Sequence, residues 1–457
     1  MNLSRMLSAR EAEGRPVRVG IIGAGKFGAM YLSQARLTQG IHILGVADLN
    51  PARARDQLAH IGWEPERFAA TSFEDARVHR STFITDNADA LIAADGLDVL
   101  IEATGDPAAG IKHCLQAIEH GRHVIMVNVE ADVVAGPLLA AKAEAAGVVY
   151  SLAWGDQPAL IAEHVDWARA AGFKVVCAGK GTRYLPHYHA STPETVWDNF
   201  GFSREMVERG RMNPKMFNSF VDGTKSGIEM TAVCNATGLL PQPDGLLFPP
   251  SSGAGVAEVC KPVSAGGVVT LTDPAIGTTE VISSLDRDGN EVPGHIQFGT
   301  YVVIEAETDY ATYCFEEYKM LPDSSYKYAA LYRPIHMIGL ELGISVASVA
   351  LRGEPTGSPV AFHSDVVATA KKDMAAGDML DGEGGYCVWG KQTPADASLS
   401  EGYLPLGLAH NVKLTRPIRQ GEKLRWTDVA IDETSQAVKI RREMEARFAR
   451  PNSRAAE

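Results

Sequence analysis

The stretch Val17-Arg18-Val19-Gly20-Ile21-Ile22-Gly23-Ala24-Gly25-Lys26-Phe27-Gly28 decides how this chain folds. Its first half is an apolar run rich in β-branched residues, which reads as a buried strand. Its second half is Gly-x-Gly-x-x-Gly, and Ala29 to Leu37 then reads as a helix. This is the dinucleotide-binding fingerprint in its strand–turn–helix setting. Gly23 permits the tight turn, Gly25 leaves the backbone open to a pyrophosphate, and Gly28 lets helix and strand pack closely. The N–H groups at Lys26 and Phe27 and the positive end of the helix dipole suit phosphates.

A second signal stands beside the first. Ile41 to Ala47 reads as the next strand, and Asp48 ends it, 20 positions beyond Gly28. An acid there accepts hydrogen bonds from the adenosine ribose hydroxyls and repels a 2′-phosphate, so NAD is favoured over NADP. Arg53 and Arg55 lie close by and soften that preference.

Composition bounds the rest. A chain of 457 residues suggests two to four domains. A hydrophobic content of 45% with 22% charge is that of a soluble globular enzyme. A net charge of −13 argues against nucleic-acid partners and anionic membrane surfaces. The six cysteines include no Cys-x-x-Cys pair, which points to reduced thiols in a cytoplasmic protein rather than a zinc knuckle or disulfide framework. No apolar run reaches the ~18 residues of a membrane span. The polar segment before Val17 has no signal-peptide core.

Read in order, the chain divides into residues 1–152, 153–358 and 359–457. Leu3 to Glu13 is a short helix. Alternating strand and helix patterns up to residue 150 predict a doubly wound parallel sheet, whose ligands sit beyond the carboxyl ends of its strands. Glu102-Ala103-Thr104-Gly105 and Asn128-Val129-Glu130 fall at two such ends and are candidate contacts to nicotinamide or ribose. Pro137 to Ala146 is the following helix. In the α+β middle region, Phe173 to Ala178 is a strand ending in the turn Gly179-Lys180-Gly181. Ser226 to Ala236 is a helix that Gly238 ends. Residues 239–300, rich in Gly, Pro, Ser and Thr, read as loops and short strands, a lid or an oligomer arm. Tyr332-Arg333-Pro334-Ile335-His336 precedes a helix from Met337 to about Leu351. Asp373 to Leu380 and Thr415 to Leu424 repeat one phrase, resembling a β-rich SAF-type module. The tail, 435–457, is a charged helix that frays.

A Rossmann cofactor brings hydride chemistry, so the protein must supply proton transfer. Lys180, between glycines at a strand end, and Lys225, opening a helix after Asp-Gly-Thr, are the candidate acid–base residues. Glu229 shares a helix face with Lys225, four positions on. With Asp222, this group suits a substrate hydroxyl or a divalent ion, and no metal ligand set is assigned. Asp156 in Gly-Asp-Gln-Pro is a further catalytic candidate. Arg333 and His336 suit an anionic substrate group. His187 and His189 form a His-x-His pair with no third ligand at metal spacing.

Several motifs resemble one family. They are Gly23 to Gly28, Glu102-Ala-Thr-Gly, Met126 to Val133, Ala178-Gly-Lys-Gly181, Phe220 to Met230, Asn235 to Pro241 and Tyr332 to His336. Together they resemble the 1-deoxy-D-xylulose 5-phosphate reductoisomerase-like (DXR-like) oxidoreductases, relatives of homoserine dehydrogenase with a C-terminal SAF domain. The resemblance implies a catalytic cleft holding Lys180, Lys225 and Glu229, and NADPH with a divalent metal in the founding activity. Asp48 and the segment Thr182 to His189 depart from that pattern. The reading is an NAD(P)-dependent, NAD-preferring oxidoreductase of a small hydroxylated substrate (sugar acid, polyol or sugar phosphate), with or without coupled isomerisation, and a homo-oligomer. Alternatives are the NADPH-dependent reductoisomerase itself and a non-catalytic dinucleotide-binding protein.

Overall fold

In the computed structural model, residues 2–210 and 212–449 are described. The chain forms two compact units: Met1–Leu160 with Met337–Pro359, and Ile161–His336 with Val360–Glu457.

The first unit holds six parallel strands: β1 (Val17–Ile22), β2 (Ile41–Ala47), β3 (Phe83–Thr85), β4 (Val99–Glu102), β5 (His123–Met126) and β6 (Tyr150–Leu152). Their order, β3-β2-β1-β4-β5-β6, is the doubly wound one, with its switch point between β1 and β4. The strands are buried along nearly their whole length because parallel sheets are covered on both faces. Val19, Ile21, Ile43, Val46, Val99, Ile101 and Ile125 form the core with Leu342, Val346 and Val349. The latter two lie on the helix Gly343–Arg352, which starts six residues later than expected from Met337. β3 pairs over only three residues, too short for a periodic signal in the sequence.

The helix after β5 is Val129–Ala145 rather than Pro137 to Ala146, and Pro137 lies inside it. Asn128 is its cap: its side chain accepts from the Ala131 amide at 3.0 Å, which starts the helix at once. Asn128 and Glu130 are therefore the buried start of that helix, directly after β5.

The second unit is built on a mixed sheet: β7 (Lys174–Thr182), β8 (Thr278–Ser283), β9 (Thr300–Glu305) and β10 (Tyr328–Arg333), in the order β10-β9-β7-β8. β7 and β8 are parallel; the other pairs are antiparallel. β8 lies within the stretch 239–300, expected to hold loops and short strands as a lid or an oligomer arm. All six of its residues are buried, so part of that stretch is core. Gly179-Lys180-Gly181 is not a turn after the strand but the strand itself. A Cβ on Gly179 would stand 1.8 Å from the Glu280 carbonyl oxygen, and one on Gly181 would stand 1.9 Å from that of Ile296. These glycines serve close backbone approach, which in sequence looks the same as a turn. The face bearing Ala178, Val281 and Val302 packs against Ile161, Val165, Met230 and Val233, which lie on the helices Gln157–Ala170 and Thr224–Thr237.

The rest of this unit is a small β assembly. β11 (Ser364–Ala370) pairs with β13 (Val388–Pro394), and β12 (Met379–Asp381), β14 (His410–Leu414) and β15 (Val429–Ala430) form a second sheet. The two copies of the repeated phrase meet. Met374 and Ile418 exchange both backbone hydrogen bonds, at 2.8 and 3.0 Å. The described part of the charged tail is a helix, Gln436–Phe448, anchored by Arg441, which is fully buried against Asp365; the expected fraying end falls on residues outside the described ones. Residues 450–457 lie outside the described residues. No helix among the described residues is long and apolar enough to cross a membrane.

Candidate active site

In the first unit the glycine loop has the shape a dinucleotide needs. Gly23 sits at φ +101°, and a Cβ there would come within 2.5 Å of the Ala103 carbonyl oxygen. A Cβ on Gly28 would stand 2.3 Å from the Gly23 carbonyl oxygen. A Cβ on Gly25 would meet nothing within 4 Å, so space lies open over the backbone there. Gly25 is the cap of the helix Lys26–Ala35 and no side chain caps that end, the setting in which first-turn N–H groups bind an anion. The loop thus fits a pyrophosphate.

Asp48 is buried and does three jobs already. It accepts from the Ala24 amide at 2.9 Å and the Asn50 amide at 2.9 Å, and the Arg53 guanidinium spans both its oxygens at 2.9 and 3.0 Å. Arg53 is 61% exposed. Arg55 turns away to the Phe68 carbonyl at 3.1 Å.

At the end of β4, Thr104 and Gly105 are exposed and Ala103 is half-buried. Glu102 is fully buried, and its Oε1 takes hydrogen bonds from Thr104 (2.6 Å) and His113 (3.2 Å). Oε1 is thus held within its own unit, while the buried Oε2 has no hydrogen-bond partner among the described residues. The Asn128 amide donates to the Asp106 carbonyl at 2.8 Å. Asp156 sits in this unit, buried, with Oδ1 accepting from the Gln157 amide at 2.8 Å.

Asp132, in the same first turn as Glu130, is buried, and burial pushes its carboxyl up to about 7 while the Tyr150 hydroxyl donates to it at 2.7 Å. An unfolded Asp titrates near ~3.9. Between about pH 4 and pH 7 the folded chain therefore holds a proton that the unfolded chain has lost. Stability from this group is present at low pH and falls as pH rises through that window. Asp132→Asn, uncharged and still able to accept from Tyr150, is expected to raise Tm by several degrees at pH 8 and to leave it nearly unchanged at pH 4. Thermal unfolding at the two pH values checks this.

The second unit gathers the proton-transfer candidates. Lys180 and Glu229 are 3% and 5% exposed and form an ion pair between β7 and the helix Thr224–Thr237. In the antiparallel ladder Lys180 lies opposite Thr300, and Thr300 lies opposite Arg333. Directly opposed residues share a sheet face, so Lys180, Thr300 and Arg333 form one row across three strands. His164, from the helix Gln157–Ala170, reaches the same row: its Nε2 meets the Thr300 hydroxyl at 3.1 Å. Burial, with help from the Arg333 charge, pushes His164 down to about 4, so it is neutral at ordinary pH. Thr300 and His164 carried no sequence signal, because only the strand register brings them to Lys180.

The expected grouping of Lys225, Glu229 and Asp222 is redistributed. Glu229 pairs with Lys180, Lys225 with Glu383 at 3.6 Å, and Asp222 with Lys371 at 2.6 Å. Side chains four apart share a helix face, but here Glu229 points to the sheet. His189 is stacked on Trp389 with centroids 3.8 Å apart and meets the Asp222 carbonyl at 2.7 Å, so His-x-His is aromatic packing. Among the described residues, no three His, Cys, Asp or Glu side chains gather as a metal site.

Residues 19–152 match the family model "Homoserine dehydrogenase, NAD binding domain", and residues 155–342 match "Oxidoreductase DRL, catalytic domain". The chain joins an NAD-binding Rossmann domain to a segment that matches an oxidoreductase catalytic domain. No curated protein matches it in sequence. Among solved structures it is similar to an NAD binding oxidoreductase from Klebsiella pneumoniae, at 18% identity over 38% of this chain and 47% of that one, TM-score 0.28. It is also similar to myo-inositol dehydrogenase from Lactobacillus casei in complex with NAD(H) and myo-inositol, at 12% identity over 40% and 50%, TM-score 0.28. A third is dipicolinate-bound dihydrodipicolinate reductase from Paenisporosarcina sp. TG-14, at 12% identity over 73% and 95%, TM-score 0.32. The chain spans about half the length of the first two.

Proposed function

We propose that this oxidoreductase is an NAD-preferring dehydrogenase of a small hydroxylated compound, a polyol or sugar acid, and that Lys180 and Glu229 handle the proton. The observation that carries the reading is the buried Lys180–Glu229 pair, set in one row with Thr300 and Arg333. The Gly23–Gly28 loop, with the N–H groups of Lys26 and Phe27, would hold the pyrophosphate, and Asp48 the adenosine ribose. Ala103, Thr104, Gly105, Asn128 and Glu130 belong to the nicotinamide side. When bound, the nicotinamide takes up or gives a hydride at the substrate carbon.

The chain's own residues supply the rest. In oxidation Lys180, as the amine, takes the proton of the substrate hydroxyl; in reduction, as the ammonium, it gives that proton to the carbonyl oxygen. Glu229 fixes the orientation of Nζ and balances its charge in the ammonium state. Thr300 donates or accepts beside it, and Arg333 holds a carboxylate or other anionic group. Asp156 and Lys225 are assigned to substrate orientation.

A second reading has an observation of its own. The exposed Arg53 guanidinium on Asp48 offers a partner to a 2′-phosphate, which fits an NADPH-linked, DXR-like reductoisomerase. The division at 152 and 358, a SAF-type C-terminal module, cytoplasmic location and homo-oligomerisation go with either reading. The test is a substrate panel of polyols, sugar acids and sugar phosphates, following NADH or NADPH absorbance with and without Mg²⁺. Turnover of a polyol or sugar acid with NAD is the expected result. Turnover confined to a sugar phosphate with NADPH would put the second reading first.

A further inference from the structure

We propose that the C-terminal segment 371–387 is a working part of the catalytic unit, with Lys371 a positioning residue that sets the first turn of the Lys225- and Glu229-bearing helix. The inference rests on the reading of Lys180–Glu229 as the proton-handling pair.

Lys371 is 5% exposed and Asp222 is fully buried. The Lys371 ammonium has three acceptors: Asp222 Oδ2 at 2.6 Å, the Ser191 carbonyl at 2.8 Å and the Gly385 carbonyl at 2.7 Å. Three donors meet three acceptors, so the ammonium is fully satisfied without water. The other Asp222 oxygen accepts from the Thr224 amide at 2.9 Å, which ties the first turn of the helix Thr224–Thr237 to this ion pair. Thr224 itself is held by its side chain, which accepts from the Gly390 amide at 2.9 Å. The next residue, Lys225, faces Glu383 at 3.6 Å.

The loop that bears Glu383 is itself built. Asp381 accepts from the amides of Tyr386 (2.6 Å) and Cys387 (3.1 Å), which closes the loop on its own carboxylate. The Asn218 amide donates to the Gly384 carbonyl at 2.9 Å, and the Lys215 ammonium donates to the Asp381 carbonyl. A helix whose first turn is fixed at Thr224 and Lys225 presents Glu229, one turn later, at a fixed height against Lys180. Lys371 and Glu383 act on Glu229 through the helix.

The experiment compares Lys371→Met with the double variant Lys371→Met/Asp222→Asn in the full chain. Three readouts are taken: Tm, amide hydrogen exchange at residues 224–229, and kcat and KM on the substrate found by the panel. Lys371→Met is expected to lower Tm, to speed exchange in the first turn at least tenfold, and to lower kcat ten- to a hundredfold with the NADH Kd unchanged within twofold. The double variant removes the buried unpaired charge, so it is expected to regain most of the Tm but neither the slow exchange nor kcat. If the double variant regains kcat as well, the ion pair only stabilises the fold and the proposal fails. Unchanged exchange at 224–229 in both variants also overturns it, whether or not the chain is active. Full activity of Lys180→Met would instead defeat the underlying proton-transfer reading and leave the exchange result standing, so the two failures are separable.

Discussion

Lys180→Met is expected to lower kcat/KM by about a thousandfold, within the range that positioned acid–base groups contribute. The loss should fall on kcat, because the side chain acts on a proton in flight rather than on uniform binding. The same substitution leaves Glu229 buried without its ammonium partner, which costs about 3–5 kcal/mol of stability. Glu229→Gln removes the opposite charge and should lower both rate and stability in the same sense. Combining the two replaces the pair by neutral groups of similar volume, and stability should return while the rate does not. Thermal unfolding and steady-state kinetics on all three variants separate the structural share from the catalytic one. A double variant that recovers its rate would remove Lys180 from the chemistry.

Arg441→Met is expected to be the most destabilising single change outside the site. Arg441 is fully buried; its guanidinium meets Asp365 Oδ1 at 3.1 Å and Glu445 Oε1 at 2.9 Å, and it also donates to Asp365 Oδ2. The guanidinium lies 5.1 Å from the Phe362 ring centroid, so packing is lost with the charge. Removing it leaves the Asp365 carboxylate with only Ser398 and the Val366 amide. The expected cost is about 3–5 kcal/mol, a large share of the ~5–15 kcal/mol that holds a native protein. Asp365→Asn in the same chain should return much of it. Denaturant unfolding of the two variants checks this; a shift below ~1 kcal/mol for Arg441→Met would mean that water reaches the pair.

What could be read from sequence followed what is local. The glycine loop, β1, β2 and the acid at Asp48 are consecutive residues whose spacing carries their meaning. Gly238, at positive φ, closes the helix Thr224–Thr237 where expected. The repeated phrases at 373–380 and 415–424 were visible as repeats, though not as mutual partners. What stayed hidden is long-range. Lys180 meets Glu229 across 49 positions, and Asp222 meets Lys371 across 149. No periodicity reports such pairs. Gly179 and Gly181 misled for a physical reason: close strand approach and turns ask for the same residue. Short strands were expected in 239–300; that Thr278–Ser283 is a fully buried core strand was not legible among its Gly- and Pro-rich neighbours.

The most direct test of the account is calorimetric titration of the intact protein with NADH and with NADPH, alongside Asp48→Ala. NADH is expected to bind saturably and more tightly than NADPH, with Asp48→Ala narrowing or reversing the difference. Binding of neither nucleotide would contradict the reading of the glycine loop. Tighter NADPH binding, unaffected by Asp48→Ala, would contradict the preference assigned to Asp48 and give Arg53 the deciding role.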